Sequence, residues 1–587
     1  MKFLGNVLAT IVGLFIFCMI FFFGILFIAA VFGGSSEHVS VDRNSVIELD
    51  LSKVKNDYGG KFNFKDFDYF EVHHDGLSDV IHAIDVAKTD NKIKGISILN
   101  DESHLGMAQI KDLRAALQDF KKSGKFVLAY SNMYTQKEYY LNSVADQIYI
   151  NPVGELDFKG LSSEILFFKD FQEKSGLKME VIRHGKYKSA VEPFLENKMS
   201  DANREQITAL LNSVWNSMVS DIAKSRKISV TNLNTIATGL LGRTPEMAKA
   251  QKLVDKIAYE DVYHNDIRKA LKVDKDEDYN KVSILDYADN VATTATKSSA
   301  KDKIAIIYAQ GEIGSGEGDV DYIGEGSMRR SLQEARKDKN VKAIVLRIDS
   351  PGGNALTSDL IWREIELTKK EKPVVVSMGN LAASGGYYIA CNANTIFAES
   401  NTITGSIGVF GTLPNFAPLT NKIGIHAEQV NTHENAAGYS VFKPLDEKFR
   451  AVTQESVERI YTTFVNRVAT GRKMTFAQVD AVAQGRVWSG AEALKIGLVD
   501  KIGGMDEALK HAAILSKIKN YKTLNFPTYE KNLRDLLSNL GIPFIKSKES
   551  FIKEEVGEEN YRVIEQIRKM SEKKGVQAVM PFEINIK

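Results

Sequence analysis

The chain has 587 residues, more than one hydrophobic core usually serves, so two domains or a duplicated one are expected. Its 76 basic and 75 acidic residues give a net charge of +1, and this balance argues against nucleic acid as a partner. The two cysteines, Cys18 in an apolar run and Cys391 in the C-terminal half, exclude a metal site built from cysteines and are not expected to form a disulfide.

The N-terminus predicts a membrane anchor. No charged residue occurs from Val7 to Phe32, a run of 26 residues. As a helix this run would be about 39 Å long, against about 30 Å for the hydrocarbon core of a bilayer. That length favours a retained span, residues 1–36, over a cleaved signal peptide, so membrane lipid is an expected partner. Lys2 precedes the span, which favours a cytoplasmic N-terminus with the rest of the chain outside.

After the predicted anchor, strand-like runs alternate with helical patterns. A helical pattern covers residues 107–122, and the strand-like runs are 46–51, 93–99, 126–130, 147–150 and 179–184. Strands that alternate with helices in this way indicate an α/β fold with mostly parallel strand pairing.

The second half of the chain repeats the first at an offset of 248 residues. This offset aligns Ile93–Ile98 with Val341–Leu346, Asp101 with Asp349, and Tyr139–Leu141 with Tyr387–Ile389. One offset that holds across separated segments indicates two tandem copies of one domain. We predict an N-terminal domain at 45–292, a polar linker at 293–302, a C-terminal domain at 303–530 and a charged extension of unassigned role at 531–587.

The two copies differ at the positions where chemistry could occur. Ser384, flanked by alanines and glycines, aligns with Gln136, and the turn Pro351–Gly353 has no glycine counterpart in the first copy. A serine at a helix start suits a nucleophile, and glycines at a strand end can bring backbone N–H groups close to an oxyanion. The alternatives are a serine that only caps the helix and a glycine turn without function.

The first copy carries the candidate general bases. Lys186 and Lys188 lie in one short segment, and spacing alone does not separate them. A lysine acts as a base only when it is neutral, so its pKa must fall from about 10.4 to about 7 or 8, which costs roughly 4 kcal/mol. Burial away from carboxylates would achieve this, and the nearby Glu192 counts against it.

Four motifs can be read together: GKYKSAVEPF at 185–194, DSPGG at 349–353, AASGGYY at 382–388 and TGSIGVFG at 404–411. In this order they resemble the long, two-domain form of the signal peptide peptidase A (protease IV) family. The resemblance implies one N-terminal transmembrane helix followed by tandem ClpP/crotonase-like α/β domains. It also implies Ser384 as nucleophile, Lys188 as general base, the N–H groups of Gly353 and Gly385 as oxyanion hole, and Ser406 as a residue that orients the lysine.

The resemblance further implies a serine endopeptidase that degrades signal-peptide remnants and other apolar or unfolded peptides at the outer face of the cytoplasmic membrane. It implies a homo-oligomer, a tetramer with its sites facing an inner chamber, and no cofactor or metal. Two alternatives remain: a catalytically silent, membrane-tethered scaffold that binds peptides, and a crotonase-type acyl-CoA enzyme, which would not need a membrane span.

Overall fold

A computed structural model describes residues 2–32, 40–64, 69–99, 102–274, 276–295, 300–531 and 577–580. Parts of several predictions lie outside these residues: the end of the anchor at 33–36, Asp101, the linker residues 296–299, and 532–576 and 581–587 of the extension. The chain divides into two compact units, Met1–Asp42 and Arg43–Lys587.

The first unit contains one α-helix, α1 (Lys2–Phe32). Large apolar side chains in its middle, among them Ile11 and Phe23, are exposed. Among the residues that the structure describes, no helix has both the length and the apolar character needed to cross a membrane. The transmembrane anchor therefore stays a prediction.

The second unit begins with the elements of the N-terminal copy. Its strands are β1 (Ser45–Leu49), β2 (Lys61–Phe64), β3 (Tyr69–Val72), β4 (Ile93–Ile98), β5 (Phe126–Tyr134), β6 (Gln147–Leu156), β7 (Lys178–Arg183), β8 (Lys256–Ile257) and β9 (Lys281–Ser283). Its helices are α2 (Leu77–Ala87), α3 (Met107–Lys121), α4 (Gln136–Asn142), α5 (Lys169–Ser175), α6 (Glu192–Leu195), α7 (Asp201–Arg226), α8 (Val230–Gly239), α9 (Pro245–Ala250), α10 (Glu260–Leu271) and α11 (Ile284–Ala295).

The C-terminal copy follows in the same unit. Its strands are β10 (Lys303–Gln310), β11 (Glu312–Gly314), β12 (Tyr322–Gly324), β13 (Val341–Ser350), β14 (Gly352–Asn354), β15 (Val374–Ala383), β16 (Thr395–Ala398), β17 (Ile403–Gly405), β18 (Phe410–Asn415), β19 (Val487–Ser489), β20 (Lys501–Ile502), β21 (Lys522–Phe526), β22 (Thr528–Lys531) and β23 (Gln577–Val579). Its helices are α12 (Glu325–Lys337), α13 (Ala355–Lys369), α14 (Gly385–Ala390), α15 (Ala417–Lys422), α16 (Glu447–Arg472), α17 (Phe476–Val482), α18 (Gly490–Lys495) and α19 (Met505–Ser516).

Each copy is built around one largely parallel sheet, as the sequence predicts. The first sheet has the strand order β8-β6-β5-β4-β1-β9. The second has the order β19-β17-β15-β13-β10-β21, and off this path β16 pairs with β15 and β20 pairs with β16. The central strands β13 and β15 are apolar runs that are buried along most of their length, as expected for strands covered by helices on both faces. The predicted α/β class is confirmed.

The offset found in the sequence also relates the elements of the two copies. Helix α3 shifted by 248 residues gives the bounds of α13, and β4 and β5 shifted in the same way begin where β13 and β15 begin. The same amphipathic pattern has therefore formed the same element twice, and the prediction of a tandem repeat is confirmed.

A third sheet joins the two copies and holds the candidate site. Its strand order is β12-β11-β14-β23-β18-β7, so the N-terminal copy contributes β7 to a sheet otherwise made by the C-terminal copy. Strand β7 pairs antiparallel with β18 over six residue pairs. This pairing brings the loop after β7, which carries both candidate lysines, to the edge of the C-terminal copy.

Candidate active site

Ser384 lies in the one-residue step between strand β15 and helix α14. Its backbone has φ 55° and ψ −114°, a conformation that costs a residue with a side chain on the order of 1–3 kcal/mol. The conformation is held from both sides, because the Ser384 N–H donates to the Gly405 carbonyl at 2.8 Å and its carbonyl accepts from the Tyr388 N–H at 2.8 Å. The sharp turn frees the hydroxyl from the strand.

Lys188 meets this hydroxyl in the interior. Its Nζ lies 3.0 Å from Ser384 Oγ and 3.1 Å from Ser406 Oγ. The three residues have no solvent-exposed surface, whereas Lys186 is exposed and lies near the ring of Tyr187. The structure thus separates two lysines that spacing alone left equivalent.

Burial controls the charge of the lysine. Desolvation lowers the pKa of Lys188 well below its ordinary value of 10.5. The carboxylate of Glu192, which counted against a neutral lysine, instead accepts from Asn203 Nδ2 at 2.6 Å and from the Ser200 N–H at 3.3 Å. The nearest carboxylate in sequence is therefore occupied elsewhere.

Two glycines let the lysine loop approach the serine. A Cβ added to Gly485 would lie 2.6 Å from the Cβ of Lys188, and one added to Gly408 would lie 3.2 Å from its Cδ. The Tyr187 N–H donates to the Gln484 carbonyl at 2.8 Å and fixes the loop against the same segment. Side chains at these two glycines would occupy the path of the lysine.

The two glycine amides predicted as an oxyanion hole lie next to each other. A Cβ added to Gly385 would lie 3.1 Å from the Gly353 nitrogen, and one added to Gly352 would lie 2.7 Å from the Gly385 nitrogen. Asp349 ties the two strand ends together, because its carboxylate accepts from the Leu381 N–H at 2.8 Å and from an adjacent asparagine side chain. Gly353 and Gly385 therefore adjoin the Ser384 turn.

Ser406 also has an unusual backbone. Its φ is 49°, and its N–H donates to the Arg486 carbonyl at 2.7 Å. Besides the hydroxyl contact, its carbonyl oxygen lies 3.4 Å from Lys188 Nζ. Ser406 thus places two oxygen atoms near the amine of Lys188. The predicted residues Ser384, Lys188 and Ser406 therefore lie together.

The matching position of the N-terminal copy is filled. The Gln136 side chain accepts from the Lys159 and Gly160 N–H groups at 3.1 and 2.9 Å and donates to the Gly160 carbonyl at 3.1 Å. A glutamine that bonds its own loop in this way offers no free nucleophile.

Sequence reasoning missed several residues that build the site. Gly485 lies outside every motif, and what marks it is structural: its positive φ of 81° and its close approach to Lys188. The C-terminal strand β23 lies in the extension to which the sequence assigned no role. Val579 is the one β-branched residue among Gln577–Met580, so the sequence gives little sign of this strand.

The chain is similar to known proteins over most of its length. The family model described as "Peptidase family S49" matches the chain twice, at 119–274 and 366–519, which together make more than half of it. "Protease 4" of Haemophilus influenzae is 38% identical over 447 residues, which are 74% of this chain and 72% of that protein. "Serine protease SPPA, chloroplastic" of Arabidopsis thaliana is 34% identical over 466 residues, 78% of this chain and 68% of that protein.

Among solved structures, a mutant ClpP1 from Listeria monocytogenes covers 35% of this chain and 94% of its own, with 18% identity and a TM-score of 0.24. That score is too low to carry an argument about the fold. The two family matches fall one in each copy, and the predicted resemblance to the signal peptide peptidase A family is confirmed. The chain therefore belongs to peptidase family S49 and is a serine peptidase.

Proposed function

We propose that the chain is a membrane-anchored endopeptidase that works through a Ser384/Lys188 dyad. The observation that carries the proposal is the 3.0 Å contact between Lys188 Nζ and Ser384 Oγ in a fully buried setting that lowers the pKa of the lysine. A buried lysine that is neutral near the working pH can accept the proton of a serine hydroxyl, which a solvated lysine cannot do.

In the proposed reaction, Ser384 Oγ attacks the carbonyl carbon of a peptide bond while its proton moves to Lys188 Nζ. The tetrahedral intermediate collapses as Lys188 gives this proton to the leaving amine, and an ester between Ser384 and the acyl part remains. A water molecule then loses a proton to Lys188 and attacks the ester. Lys188 returns this proton to Ser384 Oγ as the ester C–O bond breaks, and the second product leaves as a carboxylic acid that ionises in water.

We assign stabilisation of the oxyanion to the N–H groups of Gly353 and Gly385. Their adjacency supports the assignment, and removal of one such donor typically costs about 10²- to 10³-fold in rate. We assign Ser406 to positioning, because its hydroxyl contacts Lys188 Nζ at 3.1 Å and can hold the amine toward Ser384.

The proposed substrates are signal-peptide remnants and other apolar or unfolded peptides at the outer face of the cytoplasmic membrane. The apolar N-terminal run supports a membrane location, where such peptides accumulate. Assembly into a homo-oligomer, a tetramer, belongs to the same proposal. The family match to a peptidase favours this activity over acyl-CoA chemistry.

The test is cleavage of an apolar, signal-peptide-like peptide by the full chain in detergent, across a pH series. Ser384→Ala and Lys188→Ala are expected to lose about 10³- to 10⁶-fold in kcat, and exposed Lys186→Ala serves as the matched control. The parent rate is expected to rise with pH as Lys188 loses its proton. Full activity of Lys188→Ala would refute the dyad. If the parent is inactive and a fluorophosphonate does not label its Ser384, only the peptide-binding scaffold remains.

A further inference from the structure

Lys188 lies at the centre of a tight turn, Tyr187–Ser189, which we call the lysine turn. Its backbone has φ −76° and ψ 72°, and the Ser189 N–H donates to the Tyr187 carbonyl at 2.8 Å. These angles and this bond between residues two apart define an inverse γ-turn. Because the direction of a side chain follows its backbone conformation, whatever holds this turn also helps to place the Lys188 amine.

The side chain of Gln206, in helix α7, contacts the lysine turn on both sides of Lys188. Its Nε2 donates to the Tyr187 carbonyl at 3.1 Å and to the Ser189 hydroxyl at 2.7 Å. The same nitrogen lies 3.1 Å from Asn203 Oδ1. The Gln206 Oε1 accepts from the Val487 N–H of β19 at 3.3 Å. One amide group therefore joins a helix of the first copy, the lysine turn and a strand of the second copy.

The strand contact of Gln206 belongs to a segment, residues 484–487, that also holds the other parts of the site. The first carbonyl of this segment accepts from the Tyr187 N–H at 2.8 Å. The carbonyl of Arg486 accepts from the Ser406 N–H at 2.7 Å. Gln206 thus ties the lysine turn to the segment that fixes Ser406, and so it bears on the distance between the lysine amine and the Ser406 hydroxyl.

The contact is part of a buried polar network. Gln206, Asn203 and Ser189 are 1%, 2% and 4% exposed. The Ser189 hydroxyl donates to Asn203 Oδ1 at 2.9 Å, and Asn203 Nδ2 in turn donates to Glu192. A buried polar group that loses its partner is left desolvated without compensation, so the members of such a network keep one arrangement. The network therefore holds the Gln206 amide in one orientation.

A second contact of helix α7 provides a comparison. Ser213 lies seven residues after Gln206, about two helical turns, and its hydroxyl is 2.7 Å from that of Ser489 in β19. The bond of Ser213 joins α7 to β19, whereas the bonds of Gln206 join α7 to β19 and to the lysine turn. If Gln206 served only to join the two copies, the two contacts would be equivalent.

We propose that Gln206 is a positioning residue for the dyad, which holds the turn that presents Lys188 to Ser384. Its bonds go to the residues on either side of Lys188 rather than to the reacting atoms. This inference rests on the proposed function, since it assigns Gln206 to the same pair. Lys188 Nζ must take a proton from Ser384 Oγ and later return one, and both transfers need the amine within hydrogen-bond reach. A displacement of about 1 Å in such a group can cost about 10²-fold in rate.

The experiment measures cleavage of an apolar, signal-peptide-like peptide by the full chain in detergent. Gln206→Met keeps the length of the side chain and removes its hydrogen bonds. We expect kcat to fall about 10- to 100-fold while KM changes less than about threefold, because the lost bonds place a base rather than a surface that binds peptide. Ser213→Ala, the matched control, removes the other bond between α7 and β19 and should keep the parental kcat.

Hydrogen exchange gives a second reading that does not depend on activity. Mass spectrometry of peptides that cover residues 185–191 reports on the bonded N–H groups of Tyr187 and Ser189. These groups should exchange at least about tenfold faster in Gln206→Met than in the parent, because local opening of the lysine turn becomes easier. Exchange in Ser213→Ala should match that of the parent. Ser189→Ala removes one partner of Gln206 from the loop side and should lower kcat in the same direction.

Several outcomes would overturn the inference and leave the dyad standing, since Lys188→Ala would still be inactive. They are a parental kcat in Gln206→Met, an equal loss in Gln206→Met and Ser213→Ala, and unchanged exchange of residues 185–191. If Gln206→Met does not fold, Ser189→Ala decides, and a parental kcat in that variant would overturn the inference. Full activity of Lys188→Ala would instead refute the proposed function, and the inference with it.

Discussion

The substitution Gly485→Ala tests whether the close approach of the lysine loop is needed for activity. The added Cβ would lie 2.6 Å from Lys188 Cβ, whereas carbon atoms in contact sit about 3.5–4.0 Å apart, so the two segments must separate by about 1 Å. A displacement of about 1 Å in a catalytic group can cost about 10²-fold in rate. We therefore expect kcat/KM to fall about 100-fold, which corresponds to about 2.7 kcal/mol of transition-state stabilisation.

The control isolates the contact from the backbone strain. Gly485 has φ 81° and Gly497 has φ 79°, but a Cβ added to Gly497 would meet nothing within 4 Å. Both alanine variants should lose about 1–2 kcal/mol of unfolding free energy from the left-handed backbone, and only Gly485→Ala should lose activity. The assay is peptide cleavage together with urea unfolding. Equal activity of the two variants would show that Lys188 does not need its observed position.

Three further predictions concern buried charges. Burial lowers the pKa of Lys188 in the folded state, so between this pKa and that of the unfolded chain the unfolded chain binds more protons and the lysine destabilises the fold. Lys188→Met should therefore raise Tm, and the gain should shrink as the pH rises toward about 10. The Arg347 guanidinium pairs with Asp57 at 2.7 Å and with Asp112 at 3.0 Å across the two copies. Arg347→Ala should lower the free energy of urea unfolding by about 3–5 kcal/mol, and an unchanged unfolding midpoint would refute this. Burial raises the pKa of Asp349 to about 7, so between pH about 4 and 7 the folded state binds a proton that the unfolded state has lost. The free energy of unfolding should therefore fall as the pH rises through this range. Asp349→Asn should make the fall smaller when unfolding is measured across a pH series.

Much of the fold could be predicted because its central strands follow simple patterns. The apolar runs at β4 and β13 and the amphipathic run at α3 gave strand and helix starts close to those observed. Strand β5 continues to Tyr134, four residues beyond the predicted end at Tyr130, because its pairing with β6 resumes after an irregularity at Ser131. Polar residues in such an extension carry no alternating pattern, so the sequence does not reveal it.

The site was predictable as a set of motifs but not as a geometry. Local sequence cannot show burial, and burial is what distinguishes Lys188 from Lys186. The pairing of β7 with β18 joins residues that are more than 200 positions apart, and no local periodicity encodes such a partner. For the same reason Gly485, which makes room for the lysine, and β23, which pairs with β14 and β18, lay outside the prediction.

The duplication explains why the proposed dyad needs both copies. The offset of 248 puts Gln136 in the place of Ser384. Beyond the lysine loop, helices α7 and α16 are related by an offset of 246. Offsets of 246 to 248 put Lys188 onto Glu434 to Ala436, none of which is basic. The first copy therefore retains the lysine without the serine, and the second retains the serine without the lysine. Strand β7 resolves this division, since its pairing with β18 carries the lysine loop of one copy to the serine of the other. Because this strand pairing positions the proposed base, any change that loosens β18 should move Lys188 Nζ away from Ser384 Oγ and slow the proposed proton transfer.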